Sequence, residues 1–282
     1  MPMNRSTKEI HDEIMTCVGF FPPFFEPAVL TPAVLENLWQ QTLCAYLTNT
    51  IPPVFKEKLG ALIGRYLSVA YCLFCHSSTL SGLGIHGREI LKVLERPLPD
   101  LSVAPKALQF LKKLPDDVWP EAGSDLEDVL LQASIVAFFN KDQGRTINRL
   151  REILSADFFN HLVMLISYNK TSVQWVEVHP EISYAKDQRY LLYFDKVIAE
   201  EPRLKAYFES FLHAQSGSNR NTLDQLIAEE TSRSRILSER DREYRKLRVE
   251  RDWLLEIVNL APFAISMLSA PERRYVIANE AF

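Results

Sequence analysis

Three residues with reactive side chains stand close together about one quarter of the way along the chain: Cys72, Cys75 and His76. They lie in the apolar stretch YLSVAYCLFCHSSTL, residues 66–80. A cysteine thiolate is a nucleophile and a metal ligand, and a nearby imidazole can accept the thiol proton and later return it. The stretch therefore has three interpretations: a redox centre, a metal site, or part of an ordinary buried helix.

The local pattern predicts a helix with Ser68 as its N-cap, running through His76 to about Thr79. Cys72 would then lie in the first turn, where the positive end of the helix dipole favours a thiolate. Residues four apart share one face of a helix, so Cys72 and His76 can touch. Cys75 and His76 point about 100° apart, and no second C-x-x-C or H-x-x-x-H follows in the sequence. We therefore expect no metal site.

The composition is that of a globular protein, with 47% hydrophobic and 24% charged residues among 282. A net charge of -4 without a basic field predicts no nucleic-acid partner. The polar N-terminus is unlike a signal peptide, and the longest apolar run is far shorter than the ~20 residues that cross a bilayer. Four cysteines in so long a chain do not form a disulfide framework, so we expect a cytoplasmic protein without membrane contact.

Apolar residues repeat with helical spacing almost everywhere up to about Leu212, and no stretch before it has a convincing strand pattern. The first ~210 residues are therefore predicted to be an all-α domain. The pattern predicts a helix beginning near Thr31-Pro32, one over Phe55 to Ile63, and others around 86–95, 104–113, 124–139, 145–153, 157–168 and 197–212.

Around the cysteines the sequence resembles the alkylhydroperoxidase AhpD-like (carboxymuconolactone decarboxylase-type) helical family. The family motif places a glutamate twelve residues before the first cysteine of C-x-x-C and a histidine four residues after the second. Aligned on this motif, Glu57 matches the glutamate, Cys72 the second cysteine and His76 the histidine. The chain departs from the motif at the first cysteine, where it has Val69, and its own second thiol is Cys75.

The resemblance extends over most of residues 20–190. FEPAVLTPAVLENLWQQTL and IPPVFKEKLGALIGR resemble the family's entry helices, and SYNKTSVQWVEVHPEIS resembles a segment of its peroxidase-related branch. It implies a helical domain with Cys72 as nucleophile, His76 and Glu57 as proton relay, and Cys75 as a displaced resolving thiol. In one straight helix Glu57 would lie about 28 Å from His76, so this relay requires a break near Ser68.

Beyond Leu212 the composition changes. HAQSGSNRN (213–221) is small, polar and turn-forming, which predicts a domain boundary. Residues 223–260 are dense in charge. The a and d positions of their heptads are apolar except where charged residues interrupt them. This pattern indicates a weak parallel dimeric coiled coil that permits register change, or else a solvated helix packed on its own domain.

The last residues change period again. Ala264 to Leu268 and Tyr275 to Ile277 have the pattern of two short strands joined by SAPERR. The stretch DWLLEIVNLAPFAISMLSAPERRYVIANEAF resembles the opening of a PAS domain. The resemblance implies the truncated α/β beginning of a sensory, dimerising module, with an output domain expected beyond Phe282.

These patterns together predict an AhpD-like helical domain (1–212), a linker (213–222), a signalling helix (223–260) and the start of a PAS domain (261–282). The preferred functional interpretation is the N-terminal sensory region of a bacterial signalling protein. It would respond to redox state, to a peroxide or to a small ligand, form a homodimer through 223–260 and need no cofactor. The alternatives are a thiol peroxidase or disulfide reductase that uses Cys72, His76, Glu57 and Cys75, and a module that only mediates assembly.

Overall fold

The computed structural model describes residues 5–116, 118–217, 266–268 and 275–278. The first two ranges are all-α and contain no strand, as the sequence predicts. Their α-helices, in chain order, are α1 (Thr7–Val18), α2 (Pro32–Thr42), α3 (Pro53–Tyr66), α4 (Ala70–Gly82), α5 (Gly87–Leu94), α6 (Lys106–Phe110), α7 (Asp125–Phe139), α8 (Arg145–Ile153), α9 (Ala156–Val178), α10 (Gln188–Glu200) and α11 (Arg203–Gly217). Two 3-10 turns, Pro23–Ala28 and Tyr184–Lys186, and a π-helical turn, Leu43–Leu47, lie between them.

Helices α3 and α4 pack against each other as an antiparallel hairpin. Two glycines on α3 allow the close approach, since glycine lacks the Cβ atom that would otherwise stand between the helices. A Cβ on Gly60 would lie 2.6 Å from the His76 ring, and one on Gly64 would lie 2.6 Å from the backbone nitrogen of Leu73. Residue 60 therefore lies opposite residue 76, and residue 64 opposite residue 73.

The helix is interrupted between α3 and α4, as a contact between Glu57 and His76 requires. Ser68 has a φ of 59°, in the left-handed region that non-glycine residues seldom adopt. The expectation that Ser68 caps α4 is wrong, because the helix begins one residue later and Val69 is its N-cap, with no side-chain hydrogen bond. The helix also continues to Gly82 rather than ending near Thr79.

Helix α4 is buried on both sides. Cys72 and Cys75 belong to a large apolar cluster formed mainly with residues of α1, α2, α3, α7 and α9. Leu73 and Phe74 belong to a second cluster formed with residues of α5, α10 and α11. Phe74 stacks on the ring of Tyr184, with centroids 4.2 Å apart. Such two-sided burial explains why the cysteine stretch is almost continuously apolar.

Several helices differ from the sequence-based boundaries. The helix predicted for 157–168 is the N-terminal part of α9, which has 23 residues. The helix predicted for 197–212 is instead the end of α10 followed by α11, separated at Glu201 and Pro202. Helix α11 extends through residues 213–217, into the segment predicted to be a linker.

The chain divides into two compact units, Met1–Gln215 and Ser216–Phe282. In the second unit, β1 (Ser266–Leu268) and β2 (Tyr275–Ala278) pair antiparallel, with Met267 opposite Ile277. The predicted coiled coil at 223–260 and the SAPERR turn lie outside the described residues. No helix in the described ranges is long and apolar enough to cross a membrane.

Candidate functional site

A cavity of about 210 Å³ lies beside α4. One part of its wall is apolar, and the rest carries hydroxyl, thiol, amide and charged groups. Its lining residues are Val18, Pro22, Phe24, Phe25, Thr42, Tyr46, Leu47, Glu57, Tyr71, Cys72, Cys75, His76, Thr79, Tyr168, Asn169, Ser172 and Arg189. All four sequence-predicted site residues, which are Glu57, Cys72, Cys75 and His76, therefore line one cavity.

Glu57 and His76 form a hydrogen-bonded pair across the α3–α4 hairpin. His76 Nδ1 lies 2.6 Å from Glu57 Oε2, and both side chains are largely buried. The Tyr46 hydroxyl donates to Glu57 Oε1 and lies 3.3 Å from His76 Nδ1. Burial raises the pKa of Tyr46, and the neighbouring Glu57 carboxylate raises it further, so its hydroxyl remains a donor at neutral pH.

Tyr46 is a site residue that sequence reasoning missed. It lies on the π-helical turn Leu43–Leu47, which continues directly from α2; such turns are frequent at functional sites. The buried Lys56 ammonium stabilises the turn by donating to the carbonyl oxygens of Tyr46 (2.5 Å) and Asn49 (3.3 Å). Burial lowers the pKa of Lys56.

A sequence signal for the buried site was present in the run Lys56-Glu57-Lys58. Three successive helical residues point in directions 100° apart. In an apolar helix, at least one of three successive charged residues therefore faces the core. All three are less than 9% exposed, and each has a partner. Lys58 Nζ forms a 2.6 Å ion pair with Glu127 of α7, which holds the middle of α3 in place.

The two cysteines are free thiols buried in the cavity wall. Cys72 lies in the first turn of α4, as predicted, but burial there opposes the thiolate that the helix dipole favours. Burial raises the pKa of Cys72 to about 12, because desolvation of the thiolate outweighs the favourable charge of Arg189. Burial also raises the pKa of Cys75 well above its ordinary value. Both thiols are therefore protonated at neutral pH.

His76 does not act on the Cys72 thiol in this arrangement. Its Nδ1 is occupied by Glu57, and the opposite edge of its ring lies over Gly60 of α3. In the described part of the chain no hydrogen bond joins the Cys72 sulfur to the imidazole. The two residues share one cavity without the nucleophile–base contact that a thiol enzyme uses.

A second polar cluster, also missed from the sequence, lies at the start of α10. Asp187 is fully buried, caps α10 and accepts from Arg189 Nε (2.9 Å) and Nη2 (2.8 Å). The Tyr71 hydroxyl of α4 donates to Asp187 Oδ2 (2.7 Å) and accepts from Arg189 Nη2 (3.1 Å). Burial alone would raise the pKa of Asp187, but the hydrogen bonds and charge of Arg189 lower it overall.

The described residues contain no group of three His, Cys, Asp or Glu side chains placed to hold one metal ion. Comparisons with protein-family models, with curated proteins and with solved structures gave no match to the chain. The resemblances to AhpD-like proteins and to a PAS domain therefore stay predictions from sequence motifs.

Proposed function

We propose that residues 1–212 are the AhpD-like sensory domain of a signalling protein, and that the domain binds a small ligand in the cavity beside α4. The observation that carries this proposal is a cavity of about 210 Å³ whose mainly apolar wall also carries Glu57, His76 and Arg189. Cavities with mostly apolar walls and a few placed polar groups are typical of small-molecule sites. Ligand recognition is the function that this chemistry supports best.

The response would pass from the cavity to the helices that follow it. Arg189 lines the cavity and lies in the first turn of α10, whose N-cap Asp187 it contacts. Helix α11 follows after Glu201 and Pro202 and continues to Gly217. A ligand that contacts Arg189 would act on α10 and α11, and we propose that the predicted dimeric connector at 223–260 carries the change to the PAS region.

A variant that fills part of the cavity tests the ligand-binding part. Val18 is half-buried and lines the cavity. It also lines a neighbouring recess, together with Gln188 and Arg189. We expect a fragment screen by ligand-observed NMR to give ligands that bind the wild-type chain and not Val18→Trp. Val34→Trp is the matched control, because Val34 is partly exposed on α2 and lines neither space. The proposal would be contradicted if every fragment that binds does so equally to the wild type, Val18→Trp and Val34→Trp. It would also be contradicted if no fragment binds the wild type.

A second candidate is the thiol peroxidase or disulfide reductase, favoured by the convergence of Cys72, Cys75, His76 and Glu57 on one cavity. It requires a thiolate, which the burial of both sulfurs opposes. Dithiol-dependent peroxide consumption that is lost in Cys72→Ser would favour the enzyme. Consumption no faster than that of Cys72→Ser is the result expected of the sensory domain.

A further inference from the structure

Arg189 is a cation held in a fixed orientation at the cavity wall. Its side chain is 25% exposed, and Nε and Nη2 both donate to the fully buried Asp187. Nη2 also donates to the hydroxyl of Tyr71. Within the described ranges Nη1 makes no hydrogen bond, so the guanidinium retains N–H donors for a ligand.

Glu57 and the two cysteines of the cavity offer no free charge to a ligand. Both oxygens of Glu57 are paired, one with Tyr46 and the other with His76. The thiols of Cys72 and Cys75 are neutral. Arg189 is therefore a cation of this cavity with unused hydrogen-bonding capacity, and that capacity is for an acceptor.

The remaining wall suits an apolar body. Phe24, Phe25 and Leu47 line the cavity together with Val18 and Pro22. An apolar cavity of about 150 Å³ can hold a benzene molecule, so about 210 Å³ accommodates one ring or a short alkyl chain together with a small polar group.

We infer that the cavity binds a small carboxylic acid with an apolar body, whose carboxylate accepts from Arg189 Nη1 while the body packs on Phe24, Phe25 and Leu47. The inference rests on the proposed ligand-binding function and names the chemical class of its ligand. Asp187 and Tyr71 are positioning residues, because they fix the other edge of the guanidinium. Charge-assisted hydrogen bonds to a guanidinium favour a carboxylate over a neutral acceptor of the same shape.

Paired acids and amides test this class directly. The probes are benzoate, phenylacetate and hexanoate, each compared with its primary amide, titrated calorimetrically into the full 282-residue chain at pH 7.5. At least one acid is expected to bind with a Kd at least about tenfold below that of its amide, since a hydrogen bond to a charged group contributes about 1.5–3 kcal/mol. Arg189→Gln should remove this preference.

Arg203→Gln is the matched control. Arg203 stands two residues after Glu201 and pairs with it through Nε and Nη2, as Arg189 pairs with Asp187, but it does not line the cavity. This variant should keep the preference for acids. If Arg189→Gln fails to fold, Arg189→Lys replaces it, because lysine keeps a cation beside Asp187 but lacks the planar guanidinium. Arg189→Lys should bind the acid at least about threefold more weakly than the wild type.

Three results would overturn the carboxylate inference: amides that bind as tightly as their acids, acid binding unchanged in Arg189→Gln and Arg189→Lys, or no binding of any probe. The fragment screen separates this failure from that of the proposed function. Neutral fragments that are excluded by Val18→Trp would leave a ligand-binding domain with a different ligand class. A screen without any such fragment would remove the ligand-binding function as well.

Discussion

His76 Nδ1 lies 2.6 Å from Glu57 Oε2, although the two residues are 19 positions apart in the chain. The contact exists because the chain reverses at Leu67–Val69 and because Gly60 leaves room for the imidazole between α3 and α4. Tyr46 completes the cluster from the π-helical turn after α2. Three separate segments of the chain thus meet at one carboxylate.

Removing that carboxylate is expected to destabilise the domain. Glu57→Ala leaves the Tyr46 hydroxyl and His76 Nδ1 without their partner in a largely buried site, which costs about 1–3 kcal/mol for each unsatisfied group. Glu57→Gln keeps an acceptor and should cost less. The free energy of unfolding from urea titration measures both effects.

Glu89→Ala is the surface control for this comparison. Glu89 is exposed on α5 and pairs with the exposed Lys92, so its loss should change the unfolding free energy by about 0.5 kcal/mol or less. Equal effects of Glu57→Ala and Glu89→Ala would mean that the cluster around Glu57 contributes nothing to the fold.

The two glycines of α3 should reverse the usual sign of a helical Gly→Ala substitution. Alanine normally stabilises a helix interior by about 0.5–1 kcal/mol relative to glycine. At Gly64 the new Cβ would meet the backbone of Leu73 and the Cβ of Cys72, so we expect Gly64→Ala to destabilise by about 1–3 kcal/mol. At Gly60 the nearest atoms to the new Cβ would be those of the His76 ring, which can turn.

Gly60→Ala should therefore cost less stability than Gly64→Ala but displace the imidazole from Glu57. Thermal unfolding measures the first effect, and the imidazole resonances of His76 in an NMR spectrum report the second. A stabilised Gly64→Ala protein would show that α3 and α4 do not pack as closely as described.

Thiol reactivity should divide the four cysteines into two pairs. Cys17 and Cys44 are exposed, whereas Cys72 and Cys75 are buried. With a pKa of about 12, Cys72 is thiolate in roughly one molecule in ten thousand at pH 8, about a thousandfold less than an ordinary thiol. Two thiols should react rapidly with a chromogenic disulfide at pH 8, and all four in denaturant.

Serine variants identify which thiols react. Cys17→Ser and Cys44→Ser should each remove one rapid equivalent, and Cys72→Ser should remove none. A third rapid thiol that disappears in Cys72→Ser would establish an activated nucleophile and would favour the thiol-enzyme interpretation over the sensory one.

The sequence could predict those features that depend on local pattern. Helical periodicity predicts the all-α region, and the relay of Glu57 and His76 that the family resemblance implies requires the interruption between α3 and α4. It could not predict that Cys72 is protonated, because the position of a thiol on a helix indicates the sign of the dipole effect and not the depth of burial. In this chain burial is the larger effect.

Contacts between distant segments have no local signal either. Tyr71 and Arg189 are 118 residues apart and meet only because α10 packs on α4. Tyr46 lies where an apolar helical pattern continues past α2, so nothing in the pattern distinguishes it from a core residue. Lys56-Glu57-Lys58 is the exception, since charges in succession within an apolar helix indicate buried partners.

The Asp187–Arg189 pair should make the stability of the domain depend on pH in the acid range. Burial opposes ionisation of Asp187, but Arg189 outweighs it and the net pKa of Asp187 is lowered in the folded protein. A carboxyl whose folded pKa is lowered contributes stability above its unfolded pKa, about 3.9, and loses it as the pH falls through the folded pKa.

Asp187→Asn keeps a good N-cap for α10 but lacks the charge. The wild-type chain should therefore exceed Asp187→Asn in unfolding free energy at pH 6, and the gap should shrink steadily below about pH 4. Asp195→Asn is the control, because Asp195 is exposed on the same helix, and its difference from wild type in unfolding free energy should not shrink with falling pH. If the difference for Asp187→Asn stays constant from pH 6 to 2.5, Asp187 is not ionised in the folded state.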